Sequence, residues 1–254
     1  MTPVIEEGGM VGALAGKAAV VTGGSRGIGR AIVTRLAADG ASVVFSFGSN
    51  QQAADEVVAA GQGRVHAVRA DQGDPADQDR LFEVAQQRLG GLDILVNNAA
   101  ISPPKAIVDI TPEDYDRVLN VNTRGPFFAI QHAGRVMRDG GRIINISTLN
   151  TAVPPPGGAL YAGSKAALEL FTSVAAREFG ARGITVNSVS PGATDTDLLR
   201  ESNPGETFET VVALTALGRL GVPADIANVV AFLAGPDSKW VTGQNIRATG
   251  GLWV

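Results

Sequence analysis

TGGSRGIGRAI, residues 22–32, is the stretch whose reading decides the fold. It follows the apolar run KAAVVT (17–22), so Gly23, Gly27 and Gly29 fall at a strand-to-helix turn. Glycines at such a turn let the backbone come close to a pyrophosphate. The phosphates then rest on the free N–H groups of the helix N-terminus. Ser25, Arg26 and Ile28 occupy the positions between them. Taken alone, the motif also fits a tight turn without a ligand, because its spacing is TGxxxGIG and not GxGxxG.

Beyond this turn, short apolar runs recur with helical segments between them. SVVFSF (42–47), RVHAVRA (64–70), LDILVN (92–97), GRIINIS (141–147), GITVNSVS (183–190) and QNIRAT (244–249) join the first run as strands. The central ones are apolar on both faces, as strands covered by helices on each side must be. The alternation predicts an α/β fold, a Rossmann-type doubly wound parallel sheet of about seven strands with helices on both faces. One helix start is well marked, by Thr111 as cap, Pro112 in the first turn, and Glu113 and Asp114 at the positive helix end.

No internal repeat or linker divides the 254 residues, so one domain spanning 1–254 is expected, with PPPGG (154–158) a loop inside it. MTPVIEEGGMVGALAG is acidic and Gly-rich and lacks the basic start of a signal peptide, so residues 1–15 read as a flexible tail. No run approaches the ~18 apolar residues of a membrane helix, which makes a cytoplasmic location the default. A net charge of -4 argues against nucleic acid or an acidic membrane as partner. With no Cys, and only His66 and His132, no disulfide, thiolate metal site, Cys nucleophile or His metal cluster is expected.

YAGSK places Tyr161 and Lys165 at i, i+4 on one helix face. An ammonium beside a phenol favours the phenolate, and a tyrosine tuned that way can exchange a proton with an alcohol or a carbonyl oxygen. The pattern is short, and two exposed neighbours would look the same. Asn122 precedes Pro126 by one helical turn. Pro126 has no N–H for the Asn122 carbonyl, which leaves that carbonyl free for a water or a side chain; an ordinary kink is the other reading.

The end of the second strand carries Ser46, Phe47, Gly48, Ser49 and Asn50, with no acid. Dinucleotide folds that prefer NAD place an Asp or Glu there for the ribose hydroxyls, and that acid would repel a 2′-phosphate. Arg26 can reach the adenosine phosphate. Hydroxyl, amide and backbone N–H donors complete a phosphate cradle. NADP (NADPH) is therefore predicted over NAD.

Together the Gly-rich turn and YAGSK resemble the short-chain dehydrogenase/reductase family in its roughly 250-residue subclass, including 3-oxoacyl-carrier-protein reductases and related ketoreductases. NNAA (97–100, where the family usually has NNAG), VLNVNTRG, SPGATDT (190–196) and VTGQNIRATGG extend the resemblance from about Lys17 to Gly251. It implies hydride transfer between a nicotinamide and a carbonyl or alcohol, with Tyr161 as acid/base. Lys165 would lower the Tyr161 pKa and hold the nicotinamide ribose. Asn122 would bind a water of a proton relay. Asn98 would contact the adenosine ribose beside Ala99 and Ala100, and Asp71 and Gln72 would flank the adenine. Pro191, Gly192, Thr194 and Thr196 would line the nicotinamide and pyrophosphate.

The family's catalytic Ser commonly stands 13 residues before the Tyr, which is Thr148 here, with Ser147 one residue earlier as the alternate. Side chains alternate faces along a strand, so both cannot enter one cleft while the strand stays regular. Thr keeps the donor that polarising a carbonyl requires, and Thr148 is favoured.

The competing reading is a non-catalytic NADP-binding sensor or scaffold, since fold does not imply function; retention of both Tyr161 and Lys165 argues against it. An extended-subclass epimerase or dehydratase would need a longer substrate domain. The substrate should be set by the loop at about 197–218. The resemblance implies a homotetramer. An apolar stripe through Leu168, Phe171 and Ala175 is available for association or for the core, and an exposed Trp253 near the terminus would be costly.

Overall fold

The computed structural model describes residues 12–203 and 207–253. Seven strands form one parallel sheet: β1 (Ala18–Val21), β2 (Ser42–Phe47), β3 (Val65–Arg69), β4 (Ile94–Asn97), β5 (Arg142–Ile146), β6 (Thr185–Pro191) and β7 (Asn245–Ala248). Their spatial order is 3-2-1-4-5-6-7. The helices are α1 (Gly27–Ala38), α2 (Gln51–Ala60), α3 (Pro75–Leu89), α4 (Pro112–Leu119), α5 (Gly125–Val136), α6 (Ala159–Phe179), α7 (Asp197–Ser202), α8 (Glu209–Leu214) and α9 (Pro223–Ala234). This is the Rossmann-type sheet that the alternation predicts.

The interior strands are buried on both faces, which is why they read as unbroken apolar runs. Val21, Val43, Phe45, Val96 and Ile144 pack into one core with Ile32 and Leu36 of α1 and Val230 and Leu233 of α9. Val20, Val44, Leu95, Ile143 and Val186 pack into the opposite core with Leu81 of α3, Ala133 of α5 and Leu168 of α6. Leu168 and Ala175 belong to this second core, and Phe171 packs against it partly buried. Leu14 is 1% exposed and joins the first core. The expected tail to residue 15 is thus too long at its inner end; residues 1–11 lie outside the described residues, as do 204–206 of the 197–218 loop.

Strand order reverses between β1 and β4, and the crevice beyond their carboxyl ends is where such folds bind ligands. Thr111 caps α4 in a capping box with Asp114, as the sequence signals. The proline effect at Asn122 takes the form of a π turn over Asn120–Arg124, closed by the Gly125 N–H donating to the Asn120 carbonyl. A wider turn accommodates the ring and the missing donor of Pro126.

Candidate active site

The Gly-rich turn is built for close approach. Gly23 and Gly27 have φ of +69° and +52°. A Cβ on Gly29 would lie 2.0 Å from the Gly23 carbonyl oxygen. The turn is held by side chains behind it. Ser46 Oγ accepts from the Gly23 N–H at 3.1 Å, and Thr22 Oγ1 accepts from the N–H groups of Asn98 and Ala99 at 3.0 Å. Asn98 Nδ2 donates to the carbonyls of Thr22 and Gly23. Asn98 is therefore a clamp on the turn, and its amide donor is already engaged where contact with the adenosine ribose was expected.

The starts of α3, α4 and α7 are capped by Asp74, Thr111 and Thr196. The start of α1 has no side-chain cap and no acid in its first turn. Its N–H groups at the positive helix end thus remain available, and Ser25, Gly27, Ile28 and Gly29 line a cleft of about 1190 Å³. An uncapped helix start beneath a glycine turn fits a nucleotide pyrophosphate.

At the adenosine end, Phe47, Gly48 and Ser49 line the cleft. Asn50 does not. Its side chain caps α2 by accepting from the Ala53 N–H at 3.0 Å, a role its place before a helix favours. Arg26 is exposed and pairs across the cleft mouth with Glu201 of α7 at 2.7 Å. Arg69, which the sequence reading missed, also lines the cleft, and its Nε donates to the Gly48 carbonyl. The signal was available: a base at the carboxyl end of a parallel strand faces the ligand crevice. Asp71 lies in the cleft wall, bonded to Arg117 at 2.9 Å and to the Gly73 N–H at 2.8 Å. Gln72 is buried, and its Nε2 has no hydrogen-bond partner among the described residues.

The third region gathers Tyr161 and Lys165 from α6 with Thr148 from the end of β5. Burial raises the Tyr161 phenol above its ordinary pKa, and a hydrogen bond with Thr148 offsets part of that rise. Lys165 is 1% exposed, and its Nζ donates to the Ile146 carbonyl at 2.7 Å. Burial pulls its pKa down to about 8. For the Tyr161 phenol desolvation dominates, and the Lys165 ammonium is engaged by the strand carbonyl.

Ser147 and Thr148 both line the cleft, where strict alternation would admit only one; they differ in their partners. Ser147 Oγ donates to Glu169 Oε1 at 2.5 Å, while Thr148 lines the same cleft as Tyr161 and accepts from the Asn150 N–H at 3.2 Å. Asn122 is fully buried and lies behind the cleft wall. Its Oδ1 accepts from the Ile101 N–H at 3.0 Å and its Nδ2 donates to the Ile101 carbonyl at 2.9 Å. Ile101 itself lines the cleft. Ala99 and Ala100 form part of the same wall, and Pro191, Gly192, Thr194 and Thr196 also line the cleft. Close packing explains Gly192, where a Cβ would lie 2.9 Å from Thr249 Cα. Leu149, Pro155, Leu199, Phe208, Val211 and Leu252 give the remainder of the cleft an apolar lining.

A sequence family described as enoyl-(acyl carrier protein) reductase matches residues 23–253. A solved short-chain dehydrogenase/reductase from Serratia marcescens BCRC 10948 superposes with a TM-score of 0.90 at 43% identity, over 94% of this chain and 99% of that one. The chain belongs to the short-chain dehydrogenase/reductase family. It is similar to a hydroxynaphthalene reductase-like protein Arp2 of Metarhizium majus (strain ARSEF 297), 46% identical over 94% of this chain and 95% of the relative. It is also similar to the landomycin C-6 ketoreductase LanV, solved with bound NADP and rabelomycin, at 44% identity and a TM-score of 0.87, over 95% of this chain and 98% of that one. As a short-chain dehydrogenase/reductase, the chain is an NAD(P)-dependent oxidoreductase. Among the described residues, no helix is long and apolar enough to cross a membrane.

Proposed function

We propose that this chain is an NADPH-dependent ketoreductase whose substrates are flat, largely apolar aromatic ketones. The observation that carries the reading is that Tyr161 and Thr148 line one cleft walled by Leu149, Pro155, Leu199, Phe208 and Val211. Apolar walls with a few convergent polar groups suit a ring system with one polar reacting atom. Two relatives point the same way: the solved LanV ketoreductase holds NADP and rabelomycin, and the Metarhizium sequence relative is named hydroxynaphthalene reductase-like.

When bound, the nicotinamide supplies the hydride. Tyr161 donates the proton to the carbonyl oxygen as that oxygen becomes an alkoxide. Thr148 donates a hydrogen bond to the same oxygen and stabilises the developing charge. Lys165, already free of bulk water, presents a cation to the nicotinamide ribose. Asn122 fixes the Ile101 wall and leaves its carbonyl for a relay water. Ser25, Gly27, Ile28 and Gly29 hold the pyrophosphate; Arg26, Arg69 and Ser49 favour the 2′-phosphate, with no acid in the β2 end to oppose it.

Residues 1–254 act as one catalytic unit, with 197–218 the substrate loop, in a cytoplasmic homotetramer. Support for association comes from apolar side chains on the outer faces: Phe127, Leu170, Val174 and Trp240, the last 96% exposed. Trp253 is partly exposed and covered by the Arg247 guanidinium at 4.7 Å. Light scattering at micromolar concentration checks the assembly; a monomer mass rules it out.

NADPH consumption against β-tetralone, aromatic diketones, quinones and 3-oxoacyl thioesters tests the function. Aromatic ketones should react fastest, and Tyr161→Phe should abolish turnover with NADPH affinity nearly intact. NADPH binding without turnover of any member would return the sensor reading. A clear preference for the thioesters would replace the substrate class.

A further inference from the structure

We infer that Glu169 is a positioning residue that sets the Thr148 hydroxyl against Tyr161; the inference rests on the reading of Thr148 as the group that polarises the carbonyl. Glu169 follows Lys165 by four residues, as Lys165 follows Tyr161. Successive turns of α6 thus carry all three on one face.

One oxygen of this carboxylate gathers hydroxyls from three pieces of the site. Glu169 Oε1 accepts from Ser147 Oγ at 2.5 Å and from Thr151 Oγ1 at 2.8 Å, and Ser190 Oγ lies at 3.3 Å. Ser190 is closer to Asn245 Oδ1, at 2.8 Å, so its single proton belongs there. The two remaining bonds are hydroxyl-to-carboxylate bonds, the strong kind. They tie the end of β5 and the turn at Leu149–Thr151 to the helix that carries Tyr161.

Neither bond reaches the substrate; both act on Thr148. Pinning Ser147 to α6 fixes the backbone just past β5 from which Thr148, the next residue, projects into the same cleft. The Thr151 N–H donates to the Thr148 carbonyl at 3.4 Å, so holding Thr151 also holds the turn that brings the Asn150 N–H to Thr148 Oγ1. With one lone pair filled by that N–H, the Thr148 proton is left to point into the cleft. Glu169 therefore registers the polarising hydroxyl against the proton donor from within the same helix.

The test compares Glu169→Leu, Glu169→Gln and Ser147→Ala, each alone and with Thr148→Val, using NADPH and the fastest-reduced ketone of the panel, with β-tetralone as reference probe. Glu169→Leu should lower kcat about 10- to 100-fold, a fraction of the loss of the hydroxyl itself, with NADPH affinity within about twofold. Glu169→Gln keeps an acceptor oxygen in place and should recover kcat to within about fivefold of wild type. Combined with Thr148→Val, Glu169→Leu should cost nothing more, because both changes disable one group. Should Glu169→Leu not fold, Ser147→Ala reads the same coupling: a loss of up to about fivefold that vanishes in the Thr148→Val background. Additive losses, or equal falls in kcat and NADPH affinity, would overturn the inference while leaving Thr148 in its role. A fully active Thr148→Val enzyme would sink that role and the inference with it.

Discussion

Replacing Thr148 by Val keeps the shape of the side chain and removes one hydroxyl. The site is 8% exposed, so packing changes little and the loss falls on hydrogen bonds. In the resting protein the acceptor for the Asn150 N–H is lost, and with it the hydroxyl that lowers the Tyr161 phenol. In the transition state the missing donor is one of the two that meet the carbonyl oxygen, Tyr161 being the other. Loss of one such donor costs about 10²- to 10³-fold in kcat, or about 2.7–4 kcal/mol. A second consequence carries a sign. Burial raises the Tyr161 phenol and the Thr148 bond opposes that rise, so removing Thr148 leaves burial unopposed. Reduction requires the protonated phenol, and the alkaline limb of the pH–rate profile should therefore move to higher pH. Steady-state NADPH oxidation across the alkaline range reads both effects. Ser147→Ala is the control, because Ser147 faces Glu169 and should stay within about fivefold of wild type. A large loss in Ser147→Ala with Thr148→Val near wild type would refute the reasoning, as would an alkaline limb that moves down.

Lys165 is pulled to about 8 from an ordinary 10.5, so the unfolded chain holds a proton that the folded chain releases between those values. Its contribution to stability is least favourable below pH 8 and improves as pH rises through the window, by about 3 kcal/mol in all; thermal melts of nucleotide-free protein should show Lys165→Met ahead at pH 7 and level with wild type by about pH 10. Gly29→Ala should prevent folding or nucleotide binding, since its Cβ would meet the Gly23 carbonyl at 2.0 Å, whereas Gly48→Ala meets nothing within 4 Å and should unfold in urea within about 0.5 kcal/mol of wild type. Arg26→Ala and Arg69→Ala should each weaken NADPH about 5- to 30-fold and leave NADH unchanged, the scale of one charge-assisted bond less a surface ion pair; fluorescence titration with both nucleotides checks it, and equal losses for the two would remove the 2′-phosphate reading.

The strands were legible because a parallel sheet covered on both faces forces unbroken apolar runs, and runs such as AAVV and ILVN leave little else to read. The Gly-rich turn was legible for a similar reason: at Gly29 only a hydrogen fits against the Gly23 carbonyl, and that demand is written in residue type. The pairing of Tyr161 with Lys165 was visible as a helical spacing. Orientation was not. Ser147 and Thr148 both line the cleft, and what separates them is a partner from another element: Glu169 of α6 holds Ser147. Asn50 was read as a nucleotide contact from the acid-free end of β2, and Asn98 from the family resemblance; in three dimensions the Asn50 side chain caps α2, and Asn98 clamps the backbone of the turn while lining the cleft. The stripe of Leu168, Phe171 and Ala175 suited either an interface or the core, since an apolar stripe does not say which neighbour covers it; Leu168 and Ala175 lie in the core with Phe171 packed against it. By itself the sequence determined the elements, their class and the chemistry carried on α6. Only the tertiary structure decided which polar group faces the cleft and which faces its neighbours, because a hydrogen-bond partner brought from a distant strand or helix leaves no mark in local spacing.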